Sequence, residues 1–203
     1  MNTIIIKDWH LLPWIDEMQD CIRGVKWFTK LNITDTYYQL WIAHGEEWKT
    51  AFWMKYGHYE YTVMPFRLTN ALASFQRFIN EVYREHLDIF IIAYLNDILI
   101  FSKEYDEHIE HVRKVLKKIE NAKLQLKLKK CEFHVQETEF LGHWITTNGI
   151  QMDKHKIKAI QDWPEPKNVK EIQQFAGLVN YYWKYLRNYS QFMGPLFKML
   201  KKG

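Results

Sequence analysis

Asn96 and Asp97 stand side by side in the stretch IIAYLNDILIFS, residues 91–102, which is otherwise almost wholly apolar. An amide and a carboxylate at the centre of a buried run need a reason, because burying an unpartnered charge is costly. Two readings compete. Asn and Asp favour turns, so the pair reads as the tip of a hairpin whose arms are 89–94 and 98–101. The other reading is a metal site: carboxylates at the end of a rigid hairpin, facing a further carboxylate on another strand. The residues alone leave both open.

Apolar periodicity supplies the elements that would hold such a hairpin. Residues 14–22 place Trp14, Ile15, Met18 and Ile22 at helical spacing, and Gly24 ends that helix. The run 27–42 suits a strand broken near Asp35, and 49–66 reads as two strands joined at Tyr56-Gly57-His58. After Pro65 the spacing turns helical over 69–87, with Ala71, Phe75, Phe78, Ile79 and Val82 on one face. A second helix is predicted from Glu104 to Ala122, with Ile109, Val112, Leu116 and Ile119 inward. Alternation predicts a strand over 124–130, and 137–153 reads as a hairpin turning at Asn148-Gly149. Asn168 and Glu171 have the spacing of a capping box that opens a helix to about Tyr182, and a last helix falls around 189–200. Strands joined by hairpins more than by single helices favour an α+β fold with an antiparallel sheet.

Composition bounds the function. The 203 residues are 47% hydrophobic and 26% charged with net charge +4, which suits one globular domain or one with a small appendage. The mild positive charge permits nucleic-acid contact without requiring it. Eight basic residues lie between Arg113 and Lys130; with Lys198, Lys201 and Lys202 they could meet phosphates, and a solvated helix face explains the run equally well. Cys21 and Cys131 lack metal-ligand spacing and read as the reduced thiols of an intracellular chain. No apolar run is long enough to span a membrane, and the one at the start is too short for a signal peptide. Nine tryptophans read as a Trp-rich core, and the nine histidines as surface residues without a ligand set.

Tyr94-Leu95-Asn96-Asp97 followed by Ile98-Leu99-Ile100 resembles the Tyr-x-Asp-Asp box of reverse transcriptases, nearest in form to the Ty3/gypsy class of LTR retrotransposons. Four further segments agree in order. FTKLNITDTYYQLWI resembles the strand of the first catalytic aspartate, and TAFWMKYGHYEYTVMPFRLTNALASFQ the lining of the nucleotide pocket. KCEFHVQETEFLGHWITTNGIQMD resembles the primer-grip hairpin, and PEPKNVKEIQQFAGLVNYYWKYL the thumb. The resemblance implies a reverse-transcriptase-like palm with residual fingers over 1–130, and a primer-grip hairpin with the start of the thumb or connection over 131–203. The family's other fingers strands would lie upstream, and RNase H and integrase parts downstream. It implies an RNA-directed DNA polymerase acting on an RNA/DNA template-primer and dNTPs, with no membrane. In that family two Mg²⁺ ions activate the primer hydroxyl and neutralise the leaving pyrophosphate, held by three aspartates because Mg²⁺ wants anionic oxygen.

Carried onto this chain, the catalytic positions are Asn32, Asn96 and Asp97, so Asp97 alone keeps a metal-binding carboxylate. Asn offers a neutral oxygen of similar shape. Two unit charges about 4 Å apart interact by about 4 kcal/mol at an effective dielectric of 20, so even one loss could cost roughly a thousandfold in rate. Nucleotide-binding positions are Asp35, Tyr37 (the steric gate), Phe66 and Arg67, and the primer grip is Leu141-Gly142. Arg67 replaces a Gly where backbone must approach the nucleotide. Leu72 replaces a Pro, Thr36 an Ala and Tyr38 a His, while Trp9, Trp41, Trp53, Trp183 and Cys21 stand where the family implies Arg. Asn32, Asn96, Arg67, Leu72, Tyr38, Cys21 and these four tryptophans are each one C-to-T or G-to-A transition away, the pattern expected of a copy altered by cytosine deamination. The implied reading is a reverse transcriptase domain with impaired catalysis; the alternative is a non-catalytic nucleic-acid-binding remnant or a pseudogene product.

Overall fold

The β-branched and aromatic run Trp27–Thr34 forms an eight-residue strand, β1, whose centre is buried on both faces. Such burial suits the middle of a sheet covered on both sides. The computed structural model describes residues 18, 20–34, 36–66 and 68–200. Two compact units divide the chain: the first ends at Phe140 and includes Thr146–Gly149, and the second comprises Leu141–Ile145 and Ile150–Gly203. The fold is α+β, with an antiparallel sheet as expected.

In the first unit β1 pairs antiparallel with β5 (Asp97–Ser102), in a register that runs from Trp27 opposite Ser102 to Asn32 opposite Asp97. Strand β4 (Ile91–Tyr94) covers the other edge of β5. Short strands β6 (Gln125–Leu126) and β7 (Glu132–Val135) pair with the two ends of β1. The alternating run 124–130 thus gives only two strand residues before a 3₁₀ turn at Leu128–Lys130. A small separate hairpin, β2 (Phe52–Met54) and β3 (Gly57–Tyr59), turns at Lys55–Tyr56, one residue before the predicted place.

Helices α1 (Ala71–Tyr83) and α2 (Tyr105–Asn121) pack on this sheet. Helix α1 buries Ala71, Phe75, Ile79 and Tyr83, four residues apart, as a helix face requires. Their core partners include Leu31, Ile33, Ile91, Ile98, Ile100, Val112, Val115 and Ile119. The buried stripe of α2 is rotated by one position from the predicted one, so His108 rather than Ile109 lies innermost.

That rotation overturns the surface reading of the histidines. His108 is wholly buried. Its Nε2 meets Thr29 Oγ1 of β1 at 2.8 Å and its Nδ1 meets Ser102 Oγ of β5 at 2.9 Å. His111 Nδ1 shares Ser102 Oγ at 2.8 Å, and its ring stacks on Phe90. The His134 ring stands edge-on to His108, 5.2 Å away. Burial first, then the neighbouring His134 and His111, pushes the His108 pKa down to about 4. The Trp-rich core is overturned too. Trp41, Trp53 and Trp183 are 79%, 81% and 51% exposed, and Trp27, Trp144 and Trp163 are half-buried. The core is instead Ile, Leu, Phe and Tyr, which fill a sheet–helix interface without an indole N–H to satisfy.

Residues 137–153 form three strands rather than one hairpin: β8 (Glu137–Phe140), β9 (His143–Thr146) and β10 (Gly149–Met152). The turn between β9 and β10 is Thr147-Asn148, one residue before the predicted Asn148-Gly149, and an additional turn at Leu141-Gly142 precedes it. The second unit continues with α3 (Lys154–Gln161), α4 (Val169–Tyr181) and α5 (Tyr189–Leu200). Asn168 caps α4 as predicted: its Oδ1 accepts from Glu171 N at 2.9 Å, and Glu171 reaches back to Lys167 N at 2.7 Å. Ala176, Val179 and Met193 form the core of this unit.

Candidate active site

The β4–β5 hairpin has a two-residue turn, because Tyr94 pairs with Asp97. Its tip is therefore Leu95-Asn96, not Asn96-Asp97, and Asp97 is the first residue of β5. Leu95 has φ of 52°, a left-handed conformation that a branched side chain adopts only when its surroundings impose it. Gln76 of α1 supplies the constraint. This fully buried side chain accepts from Leu95 N at 2.7 Å and donates to Ala93 O at 2.9 Å and Asn80 Oδ1 at 2.8 Å. Nothing in the sequence reading singled out Gln76. The available signal was a polar residue in the apolar stripe of a helix.

Register brings Asn32 across from Asp97, and Asn32 Nδ2 donates to Asp97 Oδ1 at 2.6 Å. The amide turns its nitrogen inward because a carboxylate can only accept. The backbone of Asn32 is held on both sides: its N–H points at Cys131 Sγ, 3.4 Å away, and its O accepts from Lys127 N at 2.8 Å. Asn96 O accepts from Ile33 N at 2.7 Å, which ties the hairpin tip to β1. The three predicted catalytic positions thus converge at one end of the β1–β5 pair. A charge-assisted hydrogen bond stands where a pair of carboxylates would repel. Among the described residues no group of three or more His, Cys, Asp or Glu side chains is placed to hold a metal ion. The donor set of one carboxylate and two amides, one of them donating into that carboxylate, does not fit a pair of Mg²⁺ ions.

Tyr37 lies in a 3₁₀ turn, Thr36–Gln39, that follows β1. Its ring lies 5.7 Å from that of Phe66 and 6.2 Å from that of Phe75, and burial raises its phenol pKa. Phe66 is 63% exposed. Asp35 and Arg67 lie outside the described residues. A cavity of about 370 Å³ opens beside this region, bordered by Leu40, Trp41, Met64, Leu68, Asn70 and Ser74.

In the second unit Leu141 and Gly142 have φ of 51° and 76°, the successive left-handed residues of a tight hairpin turn. Two hydroxyls of α4 and its C-cap donate to them: Tyr181 to Leu141 O at 3.1 Å and Tyr182 to Gly142 O at 3.3 Å. The basic run between Arg113 and Lys130 is partly ion-paired, Arg113 with Glu110 at 2.5 Å and Lys118 with Glu85 at 3.3 Å.

A family profile described as "Reverse transcriptase (RNA-dependent DNA polymerase)" matches residues 1–145. The chain belongs to the reverse transcriptase family. Its relatives are transposon polyproteins, in keeping with the Ty3/gypsy resemblance. The chain is 40% identical over 202 residues to the retrovirus-related Pol polyprotein from transposon 297 of Drosophila melanogaster, covering 100% of this chain and 19% of that protein. It is 38% identical over 202 residues to the transposon Tf2-3 polyprotein of Schizosaccharomyces pombe, covering 100% of this chain and 15% of that one. This reverse transcriptase domain therefore spans a fifth or less of the curated relatives it matches. The fold matches that of the foamy viral protease–reverse transcriptase. TM-scores are 0.84 for its complex with RNA/DNA hybrid and 0.87 for the dRH form with double-stranded DNA, each at 22% identity over 100% of this chain and covering 27% and 35% of those chains. Among the described residues no helix is long and apolar enough to cross a membrane.

Proposed function

We propose that this chain is the palm, residual fingers and thumb start of an RNA-directed DNA polymerase that binds primed template but extends it poorly. Residues 1–130 act as palm with residual fingers, and 131–203 carry the primer-grip hairpin and the start of the thumb or connection. Asn32, Asn96 and Asp97 occupy the catalytic positions. Asp35, Tyr37, Phe66 and Arg67 are the nucleotide-binding positions, with Tyr37 screening the sugar, and Leu141 and Gly142 contact the primer. Binding of an RNA/DNA template-primer is supported by the family match and by foamy viral relatives of the same fold that were solved with RNA/DNA hybrid and double-stranded DNA.

The observation that carries the impaired-catalysis reading is the 2.6 Å hydrogen bond from Asn32 Nδ2 to Asp97 Oδ1. In the family, Mg²⁺ supplies Lewis-acid activation of the primer hydroxyl and charge neutralisation. Here the amide already satisfies the only carboxylate of the three positions, and the described donors leave that chemistry weakened. Primer extension on an RNA template with Mg²⁺ tests this, with the chain compared with an Asn32→Asp, Asn96→Asp, Arg67→Gly variant. The expected result is extension by the variant at about a thousandfold the rate of the unaltered chain. Equal extension by both would overturn it.

A further inference from the structure

Tyr181 is the last residue of α4 and Tyr182 its C-cap. Neighbours inside a helix point about 100° apart, so two adjacent side chains rarely reach one turn. Here the helix ends between them, Tyr182 leaves helical geometry at φ −107°, ψ 17°, and both hydroxyls arrive at successive carbonyls, Leu141 O and Gly142 O. Tyr182 is buried and Tyr181 half-exposed. The two rings meet edge-on at 4.8 Å, and the buried His143 ring lies 5.6 Å and 5.7 Å from them. Tyr185 completes the cluster through its hydroxyl, 3.2 Å from His143 Nδ1.

Pinning these carbonyls has a consequence that follows from peptide geometry. The peptide unit is planar, and the described residues contain no cis bond, so each carbonyl points opposite to the N–H across its peptide. Holding Leu141 O on Tyr181 turns Gly142 N–H away from α4. A Cβ at position 142 would come within 3.3 Å of Tyr182 Oη, on a backbone at φ +76°. The glycine and the tyrosines therefore fix one orientation of the turn together. A backbone N–H held in one direction is a donor suited to a sugar–phosphate oxygen.

We propose that Tyr181 and Tyr182 are positioning residues for the primer strand, orienting the Leu141-Gly142 turn whose backbone contacts it. This rests on the reading of that turn as a primer grip. The test uses the full chain and an RNA template–DNA primer duplex with 2-aminopurine at the primer 3′ terminus, beside a duplex with the probe at an internal site. The expected result for the Tyr181→Phe, Tyr182→Phe double variant is a terminal-probe response weakened about tenfold, with each single variant weakened about threefold. Overall duplex affinity and the internal-probe signal should stay within about twofold, because phosphate contacts elsewhere dominate them. A thermal midpoint that falls while the terminal response stays intact would show a merely structural role and overturn the proposal. So would an unchanged terminal response in a chain that plainly distinguishes primed from blunt duplex. Failure of the unaltered chain to make that distinction would overturn the primer-grip reading as well. Should the double variant fail to fold, the single variants decide by the same criterion.

Discussion

Strands β1 and β5 pair over six residues, and polar side chains are buried at both ends of that pairing. At the Trp27–Ser102 end, Thr29, Ser102 and His108 form a closed set in which each polar atom has a neutral partner. At the Asn32–Asp97 end a carboxylate is held by a single amide, and the hairpin beyond it carries a non-glycine residue at positive φ. At the first end both hydroxyls and both His108 nitrogens are partnered, as buried polar groups of a core are. The second stores strain and charge, as functional sites do. The contrast shows that buried polarity alone does not mark a site. What separates the two ends is whether ionised oxygen remains after the hydrogen bonds are counted, because His134, beside the first end, has a positive φ of 51° as well.

The sharpest way to break the comparison is to add charge at the strained end. Asn32→Asp replaces a donor with a second carboxylate and should lower unfolding free energy in chelator by as much as about 4 kcal/mol at pH 7. Mg²⁺ should restore much of it, while the unaltered chain should show no Mg²⁺ dependence in urea denaturation. A variant as stable as the parent, with or without Mg²⁺, would show that charge does not limit this end.

At the opposite end pH is the probe. His108 has a folded pKa of about 4 against an ordinary 6.5, so the unfolded chain takes up its proton first. Stability from this group is complete above pH 6.5 and falls as pH drops towards 4, by an amount on the order of 3 kcal/mol. His108→Ala should cost about 3 kcal/mol near neutral pH, through a cavity and two lost hydrogen bonds, and should flatten the acid slope. A slope unchanged in the variant would place the acid-sensitive group elsewhere.

Smaller effects sharpen the picture. Gln76→Leu removes the partner of Leu95 N and should cost about 2 kcal/mol, read by denaturation, with faster amide exchange confined to the hairpin tip. Lys26→Ala removes an exposed ion pair with Glu104 beside the histidine network and should change stability by less than about 1 kcal/mol. A larger loss would mean that end depends on surface charge as well as on its buried hydroxyls.

Much of this was legible beforehand. Period-two and period-3.6 patterns placed β1, both arms of the β4–β5 hairpin, α1, α2, α4 and α5, because burial on one face or both leaves its imprint on residue order. The Asn168–Glu171 cap was equally readable, being a local hydrogen-bond exchange. Helix α3 escaped notice because KHKIKAIQ is short and mostly polar; Asp153, whose carboxylate accepts from His155 N, was its available signal. The tip of the hairpin was misplaced by one residue, since turn preference favours Asn-Asp while strand register decided for Leu-Asn.

The sequence by itself determined the element types, the family, and that two of the three predicted catalytic positions carry amides. These depend on residue identity and short-range order. Tertiary structure decided that the Asn32 amide donates into Asp97, that Gln76 holds the strained turn, that His108 is buried between two hydroxyls, and that two tyrosines pin Leu141-Gly142. Apart from the Ser102–His108 bond, which spans six positions, these join residues separated by 19 to 79 positions along the chain. Such contacts depend on strand register and helix rotation, which long-range packing sets and local preference leaves free.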